Sequence, residues 1–395
     1  MTTAETARTR PLALAIGLAA GPLVAMGMAR FAYALLLPPM RADLHWSYTE
    51  AGAMNTANAV GYLAGAIGSA WLVNRVRLRR LFLVGLLLTT ASVIACSATA
   101  SFTVLAGLRL LGGVSGAITF VTGAALVMHA GAHLPARRAT LLLGIYVAGG
   151  GLGIAVSGLV LPPLLAHLGP GLDWRMGWLA LGLVSLLALV PAALAVRGVG
   201  DAAQTTIDTG GVAWPWRRIA AVAVSYGLFG LGYVGYTTFI VALLQPRLGV
   251  GVVAVFWVVL GLIGAASTVV WGPLLGRFRG GRSMTVLLGM IALGALVPVV
   301  ADGPAAAIAS AVLFGGAFLA TAAAVTVVVR QAAPPHAWGR AVGALTTVFA
   351  LGQCAGPVLT GALSDQNGVR AGLALSAVLL AVGAVVALAQ PTRAD

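Results

Sequence analysis

Two arginines, Arg30 and Arg109, stand inside long apolar stretches of this 395-residue chain. A guanidinium near a bilayer centre costs at least ~2.5–3.5 kcal/mol on insertion scales, so it faces a bundle interior or a watery cavity. Arg30 lies about eight residues before one end of its stretch, and Arg109 about seven residues into another from the same side. At ~1.5 Å per residue both are rooted roughly 10–12 Å below that boundary. Glu5, Asp43, Glu50, Asp173, Asp201, Asp208, Asp302, Asp365 and Asp395 all fall in loops or at stretch ends, so neither arginine has an acid buried at its depth. Such a pair suits an anion, because a guanidinium holds carboxylate or phosphate through paired hydrogen bonds. The same lack of a buried acid argues against the usual carboxylate proton relay. Snorkelling towards the surface is the competing reading for Arg30.

Around the arginines lie polar stripes at helical spacing. Asn55, Asn58 and Tyr62 follow at intervals of three and four, and Tyr226, Tyr233 and Thr237 at seven and four. With Tyr33 and Trp257 they are the candidates to orient the rest of a ligand; interhelical hydrogen bonding and packing are their alternative uses. Other patterns carry less. Gly149-Gly-Gly-Leu-Gly153 has the look of a dinucleotide-binding fragment, but no strand precedes it. His129 and His133 sit four apart with no third ligand nearby, so no metal is expected. No nucleophile and base are placed for hydrolysis, and no cofactor and no catalytic residue are expected. Cys96 and Cys354 fall in different stretches and read as packing residues.

The elements that must hold these residues are apolar runs at about 12–37, 51–73, 81–99, 102–128, 139–165, 174–196, 217–243, 254–276, 283–301, 304–329, 338–363 and 368–390. Each approaches the ~20 residues a bilayer crossing needs. Charged residues make up 8% of the chain, against about 25% in a soluble domain. The expected class is an all-α membrane protein of twelve transmembrane helices, since a spanning chain must satisfy its own backbone groups. A net charge of +14 would suggest nucleic acid in a soluble protein. Here the arginines gather in alternate loops, 17 on the side of the amino terminus and four opposite. That asymmetry excludes a nucleic-acid role and predicts both termini in the cytoplasm, with the lipid of the cytoplasmic (inner) membrane around the bundle.

The chain also repeats itself. Ala70-Trp-Leu-Val-Asn74-Arg75-Val-Arg77 aligns with Gly272-Pro-Leu-Leu-Gly276-Arg277-Phe-Arg279, and Gly149, Gly153 and Gly158 recur as Gly352, Gly356 and Gly361. This predicts two pseudo-symmetric six-helix halves, 1–197 and 215–395, joined by a polar, Gly-rich tether at 198–214. The 6+6 plan, the basic loop after the second stretch, its weaker copy after the eighth and the glycine series resemble the major facilitator superfamily. The superfamily's loop signature, Gly-x-Leu-x-Asp-Arg-x-Gly-Arg-Arg, is present in altered form: Ala70 and Asn74 replace its glycine and aspartate, while Arg75, Arg79 and Arg80 remain. Arg30-Phe-Ala-Tyr-Ala-Leu-Leu-Leu-Pro-Pro-Met and Gly144-Ile-Tyr-Val-Ala-Gly-Gly-Gly-Leu-Gly are similar to the YbfB/YjiJ-type branch.

The resemblance implies a secondary transporter working by alternating access. Asn74, Arg75, Arg79, Arg80 and Arg277 would then latch one face, and Gly149, Gly153, Gly158, Gly352, Gly356 and Pro357 would let helices slide. Arg109-Leu-Leu-Gly112-Gly113-Val-Ser-Gly116 matches the superfamily's fourth-span Arg-x-x-Gln-Gly-x-Gly without its glutamine, a place where relatives use the arginine for coupling and backbone bonds. The expected cargo is a small organic anion or amphipathic metabolite, and the absence of a nucleotide-binding motif makes a coupling proton or other ion the expected co-partner. Two other readings stay open: a broad exporter of lipophilic compounds, and a membrane receptor or scaffold that binds without transporting.

Overall fold

The computed structural model describes residues 3–197, 216–334 and 337–391, so the tether expected at 198–214 lies outside the described residues. Apolar runs of this length leave the backbone no water to bond, and each closes its own hydrogen bonds as a helix. Ten helices among the described residues are long and apolar enough to cross a bilayer. One of them, Arg217–Leu275, is 59 residues long and reverses at Gly249, whose φ of 77° interrupts it, so it makes two crossings. Tyr48–Leu72 adds another; it has 25 residues but is less apolar, because it carries Asn55, Thr56, Asn58 and Tyr62.

In chain order the twelve crossings among the described residues are α1 (Pro11–Asp43), α2 (Tyr48–Leu72), α3 (Leu78–Ala98), α4 (Phe102–Ala130), α5 (Ala136–Ala166), α6 (Asp173–Arg197), α7 (220–248), α8 (250–275), α9 (Arg282–Val300), α10 (Pro304–Ala332), α11 (Trp338–Asn367) and α12 (Val369–Leu388). An even number of crossings returns the chain to the face on which α1 begins. That face is the terminal face here, and the opposite one the distal face. The bundle's perimeter exposes large apolar side chains such as Leu187, Val300 and Val385, as lipid contact requires.

Two crossings are irregular in ways the apolar runs do not announce. In α1 the backbone widens to π-type turns over Leu23–Phe31, closing on a bond from Ala32 N–H to the Gly27 carbonyl. Such turns are rare and collect at functional sites; this one carries Arg30. In α10 the helix breaks between Phe318 and Thr321.

The repeated glycines divide into two jobs. The first two members of each series pack within one set of six helices: a Cβ on Gly153 would meet the Leu23 carbonyl of α1, and one on Gly356 the Leu231 carbonyl of α7, each at 2.4 Å. The third members face across the molecule, Gly158 against Trp257 of α8 and Gly361 against the Tyr48 carbonyl of α2. The first six helices therefore meet the last six along two seams, α5 on α8 and α2 on α11. The α5–α8 seam is closest at Gly151 and Gly261, where a Cβ on either would lie within 2.5 Å of opposing backbone.

Candidate functional site

Between the two seams lies a cavity of about 650 Å³. Its lining runs from Arg30, Tyr62, Tyr233 and Gln353 at the deep end to Ala70 and Gly343, close to the terminal ends of α2 and α11. Both sets of six helices contribute to the lining.

Arg30 heads the cavity and is 2% exposed. Its Nη2 donates to Gln353 Oε1 across the molecule at 2.8 Å, and Gln353 Nε2 donates to the Tyr233 hydroxyl at 2.6 Å. The guanidinium lies 5.2 Å from the Tyr62 ring centroid. Its Nη1 is buried without a hydrogen-bond partner. A buried, unsatisfied donor costs about 1–3 kcal/mol, more when charged, so the guanidinium keeps the capacity for one more acceptor. Among the described lining residues Arg30 is the one charged side chain. Tyr62, Tyr226, Tyr233, Thr346, Thr347 and Gln353 add uncharged polar groups, and the remaining walls are largely aromatic and aliphatic.

Arg109 is placed elsewhere. It is 4% exposed and does not line the cavity. Its guanidinium donates to the carbonyl of Ala29 within the widened turn, to the Met54 carbonyl at 3.5 Å and to Asn55 Oδ1 at 3.2 Å. Tyr33 and Trp178 cover it, with ring centroids at 4.8 and 5.4 Å. The positive pair read from the sequence is thus not one site: Arg30 faces the cavity, and Arg109 ties α4 to α1 and α2.

The other candidates divide the same way. Tyr62, Tyr226 and Tyr233 line the cavity. Asn58 Nδ2 donates to the Arg109 carbonyl at 3.1 Å, and the Tyr33 hydroxyl to the Ala51 carbonyl at 2.8 Å. Asn55 Nδ2 donates to Thr238 Oγ1 of α7 at 2.7 Å, while Thr237 Oγ1 bonds back to the Tyr233 carbonyl at 2.9 Å. Trp257 is fully buried in the α5–α8 seam, its Nε1 donating to Ser157 Oγ at 3.1 Å.

Beyond Arg30 the distal side is shut in layers. Thr56 Oγ1 donates to the Cys354 carbonyl at 2.7 Å, and Gly52 presses on the Pro357 carbonyl. Outermost, Asp365 at the end of α11 accepts from Tyr48 N–H at 2.7 Å, Thr49 N–H at 2.9 Å and Thr49 Oγ1 at 2.6 Å. An acceptor at these free N–H groups also meets the positive end of the α2 dipole. Glu50 completes a capping box with Ser47 on the same turn. At the terminal face Arg75 stacks on Trp71 at 3.7 Å, Asn74 bonds back to the Ala70 carbonyl at 3.3 Å, and Arg80 and Arg277 are exposed, as Arg79 is in part.

Sequence reasoning passed over Gln353, although a lone amide inside an apolar crossing is the same kind of signal as Asn55. It also passed over Phe229, Phe318 and Phe349, which line the cavity but carry no polarity to mark them.

The family described as "Uncharacterised MFS-type transporter YbfB" matches residues 22–388. No curated protein matches the sequence. Among solved structures, the nucleoside transporter NupG superposes with a TM-score of 0.70 at 11% identity, covering 96% of this chain and 98% of that one. A bacterial homologue of the human lysosomal transporter Spinster, in an inward-facing and occupied conformation, superposes with a TM-score of 0.69 at 15% identity, covering 96% of each chain. At these identities the likeness concerns the fold.

Proposed function

The chain belongs to the YbfB-type family of major facilitator transporters, and from that premise we propose that it moves a small organic anion or amphipathic metabolite by alternating access. The observation that carries the anionic part is Arg30: a charged group buried at the head of the central cavity, with one nitrogen unpartnered and no carboxylate among the described lining residues. The arginine count makes the terminal face cytoplasmic, so the conformation is the one open inward, with the distal layers from Thr56 to Asp365 as the closed outer gate. The cargo enters between α2 and α11, meets Arg30, and displaces or extends the Arg30–Gln353–Tyr233 bridge. The halves 1–197 and 215–395 then rock about the cavity, and the loop arginines Arg75, Arg79, Arg80 and Arg277 latch the inner face. Arg109, with its donors taken by Ala29, Met54 and Asn55, holds α1, α2 and α4 together, so the binding charge is assigned to Arg30 alone. The surrounding lipid bilayer and a coupling proton or other ion complete the set of partners.

Flux into sealed proteoliposomes tests this reading. Uptake of carboxylates that is lost in Arg30→Gln supports it. Uptake of cationic dyes that survives the substitution supports a broad lipophilic exporter, which the aromatic walls would also suit. Saturable binding with no flux supports a receptor.

A further inference from the structure

The walls below Arg30 narrow the cargo further. Tyr226 and Phe349 stack with ring centroids 4.4 Å apart and planes within 8°. Phe229 and Tyr233 stack at 4.7 Å and 20°, and Phe229 lies 5.4 Å from Phe349 with planes within 12°. These four rings, from α7 and α11, share nearly one orientation and all line the cavity. At 4.4 and 4.7 Å these rings cover one another's faces, so the stack offers a guest its edges and end faces. Aromatic pairs gain from edge-to-face and offset-stacked contacts alike, which favours an aromatic guest over a flexible alkyl chain.

Charge sets the other limit. In a cavity of low dielectric a single guanidinium neutralises one negative charge, and a second would stay uncompensated. The neutral polar groups beside Arg30, from Tyr62, Tyr233 and Gln353, can hydrogen-bond a carboxylate but cannot balance a dianion. Sugars and phosphate esters would leave most of their polar groups against Phe31, Phe229, Phe318 and Phe349. A cavity of about 650 Å³ is within the range that encloses a drug-sized molecule, so two fused rings fit with room to spare.

We infer that the preferred ligand is an aromatic monocarboxylate, its carboxylate on the Arg30 guanidinium and its ring packed on the edges or end face of the Tyr226–Phe229–Tyr233–Phe349 stack. This rests on the anion reading above and sharpens it.

Purified full-length protein would be titrated by thermal stabilisation with five probes: naphthylacetate, its neutral analogue naphthylethanol, octanoate, a naphthalenedicarboxylate and naphthylmethylammonium. The expected order puts naphthylacetate first, tighter than octanoate by about 2–10-fold from aromatic contacts. It should exceed naphthylethanol by about 10–100-fold from the charged hydrogen bond. Arg30→Gln should remove the second gap, and Phe349→Leu the first. Because the wild-type ranking already decides the matter, a variant that fails to fold does not blunt the test. Octanoate equal to or tighter than naphthylacetate, or the dicarboxylate tightest, overturns this inference while leaving the organic-anion reading in place. Naphthylethanol or the ammonium compound binding as well as the acid sinks both. No stabilisation by naphthylacetate in protein that still melts cooperatively also overturns the inference.

Discussion

At the scale of single residues the molecule separates two arginines that look alike in sequence. Both are buried, yet Arg109 spends its donors on fixed carbonyls and an amide, while one Arg30 nitrogen is left without a partner. Substitution should separate them again. Arg109→Met strands the Ala29 and Met54 carbonyls and Asn55 Oδ1, a loss of roughly 2–4 kcal/mol of stability. We expect a clear drop in melting temperature, with the ranking of ligands unchanged in whatever protein folds; a re-ordered ligand series would return Arg109 to the binding site. Gln353→Glu makes the opposite kind of change. It sets a carboxylate where Gln353 Oε1 now lies, 2.8 Å from Arg30 Nη2, and so supplies an internal anion. The empty protein should melt higher and carboxylate ligands should lose at least about tenfold in affinity. Undiminished anion binding by this variant would count against Arg30 as the anion's partner.

At the scale of elements, the proposed rocking motion has to act through the two seams. α5 and α8 touch backbone to backbone at Gly151 and Gly261, and no side chain at those points can yield. Gly151→Val forces the helices apart, and overpacking of this kind costs about 1–3 kcal/mol. We expect a lower melting temperature and slowed flux, with ligand affinity retained because Gly151 does not line the cavity. Flux at the wild-type rate would show that the seam opens without having to re-form this contact. The repeat of small residues was legible in the sequence; that Gly149, Gly153, Gly352 and Gly356 seat helices within one set of six, and of the series only Gly158 and Gly361 face the other set, was not. The spacing is identical in both roles, and the difference lies in which neighbour each glycine meets.

At the scale of the whole molecule, the conformation depends on how firmly the distal side is shut. Asp365 caps α2 from the other set of six helices, so the contact exists only while that side is closed. Removing a carboxylate from a helix N-terminus costs about 0.3–2 kcal/mol, which shifts a two-state balance by roughly 2–30-fold. Asp365→Ala should therefore favour the opposite conformation. A cysteine at Thr346, on the cavity wall, reports it in sealed vesicles of known orientation, with half-buried Cys354 replaced to remove background. Labelling from the terminal face should slow in the Asp365→Ala background; labelling at the parent rate would mean that the cap does not hold the gate.

Composition and pattern alone determined a good deal of this protein. Apolar runs of bilayer length leave a chain no choice but helices, and their number, the repeat at half-length and the basic loops carry the resemblance to the superfamily. An arginine inside a crossing must also find a polar partner or a cavity, which singled out Arg30 and Arg109. Tertiary structure decided which of the two meets a cavity. That depends on the widened turn in α1, on the opposing face of α11 that supplies Gln353, and on a wall of rings drawn from two helices more than a hundred residues apart. Periodicity reports the face a residue takes on its own helix; the neighbour across that face is chosen by packing, and the chemistry of a transporter's site belongs to the neighbours.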